Sequence, residues 1–263
     1  MFYVGFIPLF MIIINYLWVP NSMTYYLKKR DKNSIREILA KTTPEYIPQL
    51  DDEYEVRLLG KKVAKASFIS LFQKGLVMNT IMLWLMMFFN LFIIFGLNVW
   101  IPKLMMGQGY NLGSSLIIML MFNVGAFIGM PLVGWAADRW GYRRAIMTFY
   151  GFMAIVIALC GTKPPYEFLM AMLFCAGTAI NGIQGTASAY VAVSYPPEIR
   201  GTAMGWAYAA GRVGGAFGPI VGGLAITMNF SFMSTLLIWA VGAAIGVLVV
   251  FLTKEQPSVD AVK

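Results

Sequence analysis

Long apolar segments separated by short polar ones dominate the chain. A bilayer-spanning α-helix needs about 20 mostly apolar residues. Seven segments approach or exceed that length: 2–19, 76–99, 112–136, 145–162, 167–193, 203–226 and 231–252. Membrane-spanning strands would be about half as long and would alternate in polarity. The pattern therefore predicts an all-α, polytopic bundle of membrane helices. The first segment has no basic n-region and no A-x-A site, so we expect it to remain as a span.

Basic residues fall almost entirely on one side of the predicted spans. Eleven Lys or Arg residues lie between the first and second spans, and Arg139, Arg143 and Arg144 lie between the third and fourth. The connections on the opposite side hold only Lys103 and Lys163. Since cytoplasmic connections are enriched in Lys and Arg, the distribution predicts which segments are cytoplasmic. They are residues 20–75, 137–144, 194–202 and the C-terminus.

Composition narrows the class of protein. The chain is 59% hydrophobic and only 12% charged, which is typical of a multi-pass membrane protein and not of a soluble domain. The net charge of +8 is segregated into the connections, so we predict lipid as the surrounding partner and no nucleic-acid binding. With no histidine, and with its two cysteines, Cys160 and Cys175, inside apolar segments, the chain shows no metal, cofactor or catalytic cluster. We predict that it is not an enzyme.

Arg212 is the single charged residue between Gly201 and Phe230. It lies roughly 17 Å along a helix from Gly201, near the midplane of a ~30 Å hydrocarbon layer, where an arginine costs about 2.5 to 3.5 kcal/mol. Helical spacing places Tyr208, Arg212 and Pro219 on one side, and Gly215 is expected to leave room beside the guanidinium. The planar guanidinium fits a carboxylate, which predicts an organic-anion site. A salt bridge or carbonyl contact that holds the helix to its neighbours is the alternative.

The connection "GWAADRWGYRRA" combines glycines, an acid and basic residues at a particular spacing. Its candidate gating residues are Gly134, Asp138, Arg139, Gly141, Arg143 and Arg144. Gly134 would allow close helix approach, Asp138 would cap the next helix or pair with an arginine, and Gly141 would permit a tight turn.

This connection resembles the signature loop of the major facilitator superfamily, in the weaker copy between the eighth and ninth spans. Tyr142 stands where the best copies have arginine. Two further stretches, "NVWIPKLMMGQGY" at 98–110 and "YPPEIRGTAMGWAYAAGRVGGAFGPIVGG" at 195–223, resemble the aromatic acid:proton symporters of that superfamily. "VPNSMTYYL" at 19–27 is similar to the segment after the sixth span of many members, with Asn21 in place of a glutamate. The resemblance covers the whole chain and assigns it spans six to twelve.

The resemblance implies a domain order. It is a helix equivalent to the sixth span at 1–20, a cytoplasmic inter-half loop at 21–75, the C-terminal six-helix domain at 76–252 and a cytoplasmic tail at 253–263. Within the loop, Ser34 and Glu37 have the spacing of a capping box for a short helix. Facilitators work as two six-helix halves, so we expect a fragment or truncated gene product that lacks the N-terminal half. A split transporter completed by a second chain is the alternative.

Polar residues in other spans are candidates for the wall of a substrate cavity. Asn181 and Gln184 recur with Ser188 at helical spacing, and Asn90 is a single polar residue in the second predicted span. Hydrogen bonding between helices would explain them as well as substrate contact does. Trp84 and Trp206 could stack on an aromatic substrate or serve as packing.

The resemblance therefore implies the C-terminal part of a proton symporter for a small organic anion, specifically an aromatic carboxylate, in the cell membrane. Arg212 cannot exchange a proton, and the acidic residues held to do so in the resembled family belong to the absent first span. We therefore expect that this chain alone does not drive proton-coupled uptake. A facilitator for another carboxylate or a sugar, and a noncatalytic or truncated membrane chain, are the alternatives.

Overall fold

The computed structural model describes residues 26, 29, 31–42, 68–73 and 75–253. The chain divides into two compact units, residues 1–62 and 63–263. The first predicted span, most of the predicted inter-half loop and the tail beyond Thr253 lie outside the described residues. Every regular element described is helical: α1 Lys32–Thr42, a 3₁₀ helix Phe68–Phe72, α2 Val77–Gly107, α3 Leu112–Trp140, α4 Tyr142–Cys160, α5 Tyr166–Val193, α6 Pro197–Thr227 and α7 Phe232–Phe251.

Helix α1 belongs to the first unit and begins two residues before the predicted capping box. Its capping residue is Asp31, whose Oδ1 accepts a hydrogen bond from the Ser34 backbone N–H at 3.3 Å. Asp31 Oδ2 also accepts a bond from the Ser34 hydroxyl at 2.9 Å. The prediction that Ser34 caps the helix was therefore wrong, because an aspartate three residues earlier offers a stronger acceptor at the right spacing.

The all-α prediction is confirmed in the second unit, where six helices, α2 to α7, are long and apolar enough to cross a membrane. Each coincides with one of the predicted spans after the first, and most extend a few residues further. The extension occurs because a helix continues until a cap or a breaker stops it, beyond the end of the apolar run. At the starts of α3 and α7, which lie within one residue of the predicted positions, Asn111 and Ser231 are the caps: their side chains accept bonds from Ser114 N–H at 2.7 Å and Ser234 N–H at 3.1 Å.

Two helix pairs are extensively packed, α3 with α5 and α2 with α6, and glycines lie where their backbones approach most closely. A Cβ atom added at Gly129 would collide with the Thr178 carbonyl of α5, and one at Gly214 would collide with the Phe88 carbonyl of α2. In a membrane, close backbone approach and van der Waals packing take the place of the hydrophobic effect as the force between helices. The glycine spacing in these segments is therefore what pairs the helices.

The 3₁₀ helix Phe68–Phe72 lies within the segment that the sequence assigns to the inter-half loop. It contacts α2 and α6, and its Leu71 side chain is fully buried. The Leu71 carbonyl accepts a hydrogen bond from the Thr80 hydroxyl at 2.8 Å, and Thr80 in turn accepts one from the Tyr195 hydroxyl at 2.9 Å. These buried bonds attach the end of that segment to the helix bundle.

Candidate anion-binding face

Helix α6 has one face packed against α2 and another that is open. The packed face consists of Gly211, Gly214 and Gly218, which approach the α2 backbone and the Leu91 side chain. Tyr208 and Arg212, one turn apart, lie on the open side and are exposed. The predicted helical spacing is thus realised, and it places a guanidinium and a phenol together on a face that no neighbouring helix covers within residues 75–253.

The Arg212 guanidinium has no hydrogen bond and no ion pair within the described part of the chain. The alternative role given to it by the sequence, a salt bridge or carbonyl contact between neighbouring helices, has no counterpart there. Its guanidinium is therefore available to a ligand, with five N–H donors in a plane that suits a carboxylate.

Gly215 has a different role from the one expected. A Cβ atom at this position would lie 2.9 Å from Cδ2 of Phe95 on α2, so the space over the glycine holds a phenyl ring. The prediction that Gly215 leaves room for the guanidinium was wrong, because three residues fall short of a full turn and place Gly215 about 60° around the helix from Arg212, facing Phe95 of α2. Phe95 itself is 37% exposed, so an aromatic edge lies on the rim of the open face.

Helix α5 contributes polar groups next to the open face of α6. The Tyr208 hydroxyl donates a hydrogen bond to Ser188 Oγ at 2.7 Å, which joins α6 to α5. Asn181, half-buried on α5, donates to the Gly177 carbonyl of its own helix at 3.5 Å. The structure thus brings Tyr208 and Ser188 together, and it leaves the Asn181 side chain with a long bond within its own helix.

Asn90 and Gln184 form an interhelical hydrogen bond between α2 and α5. Asn90 Nδ2 donates to Gln184 Oε1 at 2.5 Å, and the Asn90 side chain is fully buried. Asn90 Oδ1 has no hydrogen-bond partner within the described residues. Of the two explanations offered by the sequence, interhelical bonding therefore has direct support for this pair, and Gln184, which is half-buried, is the member closer to solvent.

Trp84 and Trp206 pack against each other. Their ring centroids are 5.9 Å apart and the ring planes are nearly parallel. The ring centroid of Phe68 lies 4.6 Å from that of Trp206. This cluster joins α2, α6 and the 3₁₀ helix, which supports the packing role for the two tryptophans.

The signature connection turns at Gly141, whose φ of +84° favours glycine. Arg143 then reaches the last turn of α7, where its Nε donates to the Val250 carbonyl at 3.3 Å and its Nη2 donates to the Phe251 carbonyl. A guanidinium at a helix C-terminus satisfies carbonyls that have no partner within the helix and complements the helix dipole. Arg143 therefore links the connection to the end of α7.

Other residues of the connection behave differently from the expectation. A Cβ atom at Gly134 would meet nothing within 4 Å, so no described helix approaches closely there. Asp138 does not cap α4, whose N-terminal cap is Gly141 without a side-chain bond, and it forms no ion pair within the described residues. Asp138 precedes the turn by three residues and is still part of α3, which directs it away from the α4 N-terminus. Arg139 lies over the Trp135 ring at 4.5 Å, and Arg144 is exposed.

Sequence reasoning missed Trp100. Its indole Nε1 donates to the Pro219 carbonyl at 2.9 Å, and its ring occupies the space that Gly222 leaves on α6. The signal was present in the sequence as a proline followed three residues later by paired glycines, a combination that leaves room for a bulky neighbour in the middle of a helix.

In the described membrane helices, acidic residues occur in the sequence only near helix ends. Asp138 is in the last turn of α3, Glu167 in the first turn of α5 and Glu198 near the start of α6. No carboxyl group therefore lies near the midplane beside Arg212 within residues 75–253.

Comparisons with known proteins agree with this arrangement. A sequence model of the Major Facilitator Superfamily matches residues 116–263. The benzoate transport protein of Acinetobacter baylyi is 32% identical over 97% of this chain and 55% of its own length. The 4-hydroxybenzoate transporter of the same organism is 30% identical over 93% of this chain and 55% of its own length.

A third relative and one solved structure complete the comparison. The gentisate transporter of Corynebacterium glutamicum is 36% identical over 59% of this chain and 35% of its own length. The peptide transporter POT in complex with sulfate matches the fold with a TM-score of 0.55 at 23% identity, covering 66% of this chain and 37% of that one. The chain spans about half the length of the curated relatives that it matches over nearly its whole length.

Proposed function

Because the chain belongs to the Major Facilitator Superfamily, we propose that its membrane helices form part of a transporter that carries a small aromatic carboxylate. Helices α2 to α7 correspond to the C-terminal half of such a transporter, and residues 1–20 to the preceding span. The relatives named for benzoate, 4-hydroxybenzoate and gentisate support the substrate class. An N-terminal half completes the cavity.

The exposed, unpaired guanidinium of Arg212 is the observation that carries this proposal. It binds the substrate carboxylate, and Tyr208 and Gln184 supply hydrogen-bonding groups on the same wall of the cavity. Asn181 completes that wall, and Asn90 positions Gln184. A carboxylate in a site of low dielectric needs a fixed positive partner, because desolvation of an unpaired charge is costly.

Proton symport is the second part of the proposal. Arginine keeps its proton at any working pH, and the described membrane helices hold their carboxyl groups at their ends. The coupling carboxylate therefore belongs to the N-terminal half. This chain alone, reconstituted in vesicles, produces no substrate-dependent alkalinisation of the outer medium.

The topology follows from the basic connections. Arg139, Arg143 and Arg144 lie at the cytoplasmic end of α3 and α4, in the cell membrane, and the C-terminus is cytoplasmic. Gly134, Asp138 and Gly141 belong to the same connection. Its role is to couple the position of α3 to that of α7 through Arg143 as the halves rock.

Uptake of radiolabelled benzoate tests the anion role in a chain completed by the N-terminal half of the Acinetobacter baylyi benzoate relative. We expect Arg212→Gln to abolish uptake while the protein still accumulates in the membrane, and Arg212→Lys to retain part of it. Lys103→Gln, which removes a cation near the C-terminal end of α2, serves as the matched control. Uptake retained by Arg212→Gln would contradict the proposal.

A further inference from the structure

An apolar cavity lies between α3, α4 and α5, away from Arg212. Its volume is about 430 Å³, and it is lined by large apolar and aromatic side chains, among them Ile128, Leu132, Phe149, Phe152 and Trp140. Several of them remain exposed, including Phe152 at 44% and Trp140 at 48%. The cavity is therefore open at the side of the bundle. Its lining holds no charged side chain, and of its two threonines, Thr148 and Thr178, the latter donates its hydroxyl to the Phe174 carbonyl.

The depth of the cavity matches one leaflet of a bilayer. Ile128 and Trp140 are separated by twelve residues of α3, or about 18 Å along the helix axis. Half of a ~30 Å hydrocarbon layer is about 15 Å. Trp140, the last residue of α3, marks the end of the cavity nearest the basic connection, where tryptophan is typical of the membrane interface.

Two arginines lie at that end of the cavity. Arg139 directly precedes Trp140, and Arg144 lies one turn before Thr148, which lines the cavity. Both are exposed, and neither guanidinium has a hydrogen bond or ion pair to any residue in the described ranges. Asp138, the neighbouring carboxylate, points about 100° away from Arg139 around the helix. Arg143 is already engaged with α7.

We propose that this cavity binds one acyl chain of an anionic phospholipid, whose phosphate lies against Arg139 and Arg144. An apolar cavity with two arginines at one end is suited to a ligand with an apolar chain about as long as one leaflet is thick and a negative group at the membrane interface. A zwitterionic lipid supplies the same chain with a weaker electrostatic attraction, because its head group carries a compensating positive charge. The site is separate from the substrate face and does not depend on the function proposed for Arg212.

Lipid binding to the purified 263-residue chain tests the proposal. Dioleoyl phosphatidylglycerol and dioleoyl phosphatidylcholine have identical acyl chains and differ in net charge, and native mass spectrometry counts each bound lipid. We expect phosphatidylglycerol to bind about tenfold more tightly. Arg139→Gln combined with Arg144→Gln should remove most of that preference and leave phosphatidylcholine binding unchanged.

The matched control removes the same number of charges at the opposite end of the helices. Lys103→Gln combined with Lys163→Asn should retain the preference for phosphatidylglycerol; asparagine is chosen because residue 163 has a φ of +57°. Equal affinity for the two lipids in the unmodified chain would overturn the proposal. So would an equal loss of preference in the control.

Chemical modification of Cys175 reports where the lipid acyl chain binds, because Cys175 lines the cavity and is half-buried. The other cysteine, Cys160, is buried elsewhere. In a Cys160→Ser background, phosphatidylglycerol should slow modification of Cys175 by a membrane-permeant maleimide at least threefold. The two-arginine variant should lose this protection. Equal modification rates with and without phosphatidylglycerol would place the lipid elsewhere and contradict the proposal.

Discussion

The two sides of α6 differ in how much space the neighbouring residues leave beside them. Toward α2, Gly214 and Gly218 leave so little space that an added Cβ would collide with backbone carbonyls. Toward the open side, Gly205 has nothing within 4 Å of its would-be Cβ, and Arg212 extends without a partner among the described residues. The packed side fixes the position of the helix. The open side is left for a ligand or for another part of the proposed transporter.

The comparison shows that glycine residues have two different structural roles within α6. On the packed side it is required by contact, because two backbones meet there. On the open side no described contact requires it, and a small residue keeps the face accessible. Sequence spacing alone groups these glycines together, and only the position of α2 separates them.

The largest effect is expected on the packed side. Gly214→Ala should destabilise the chain by about 1 to 3 kcal/mol, since the new methyl group meets the Phe88 carbonyl and the helices must separate. Thermal unfolding of the purified chain in detergent measures this as a lower Tm. Gly205→Ala is the matched control and should leave Tm unchanged or slightly raised, because alanine favours the helix. Equal Tm values for the two variants would break the comparison.

Arg143 and Arg144 extend the comparison to the signature connection. Arg143→Gln should lower stability by about 1 kcal/mol, because two carbonyls at the end of α7 lose a charged donor. Arg144→Gln removes the same charge from an exposed side chain and should have little effect on Tm. If both substitutions lower Tm equally, then the general charge of the connection, and not the contact with α7, is responsible.

Asn90 and Gln184 lie between the packed and the open regions, and their contribution should be smaller. Gln184→Leu leaves the buried amide of Asn90 without a partner and should cost about 0.6 kcal/mol, the average for an interhelical hydrogen bond in a membrane. Adding Asn90→Leu should recover part of that loss, because no polar group is then buried unpaired. Measurement of Tm for the two single variants and the double variant gives the coupling. A double variant less stable than Gln184→Leu would contradict this account.

The smallest effect is expected in α1, outside the membrane helices. Hydrogen bonds from Ser34 lower the pKa of Asp31, so the carboxylate stabilises α1 above its ordinary pKa of about 3.9, and this contribution is lost as pH falls through the lowered value. Ser34→Ala should move the pKa of Asp31 upward. Carbon-13 NMR titration of aspartate carboxyls checks this. An unchanged pKa in the variant would show that the Ser34 bonds are not its cause.

The positions of the membrane helices could be predicted from the sequence because hydropathy and length determine them. The last six predicted spans correspond to α2 through α7, and helical spacing places Tyr208 and Arg212 on one side of α6. These properties depend on residues close together in the chain. The family resemblance was also visible in the sequence, because it rests on short motifs, and the match to residues 116–263 confirms it.

Contacts between distant segments could not be predicted. Arg143 bonds to residues more than a hundred positions away, and Phe95 fills the space over Gly215 because α2 happens to cross α6 at that level. Nothing in the periodicity of either segment gives the crossing point. The prediction that Ser34 caps α1 failed for a local reason. Two residues suited to capping, Asp31 and Ser34, lie three positions apart, and the sequence alone does not rank them.

The central claim is that the open side of α6 binds an organic anion through Arg212. Equilibrium binding of benzoate in nanodiscs, measured on the chain completed by the N-terminal half of the Acinetobacter baylyi benzoate relative, tests it most directly, with neutral benzamide as the ligand of nearly equal shape. We predict that the unmodified chain prefers benzoate and that Arg212→Gln weakens benzoate binding by about tenfold or more, as expected for loss of a charged hydrogen bond, while benzamide binding is unchanged. Benzoate binding that is equal in the unmodified chain and in Arg212→Gln would contradict the account.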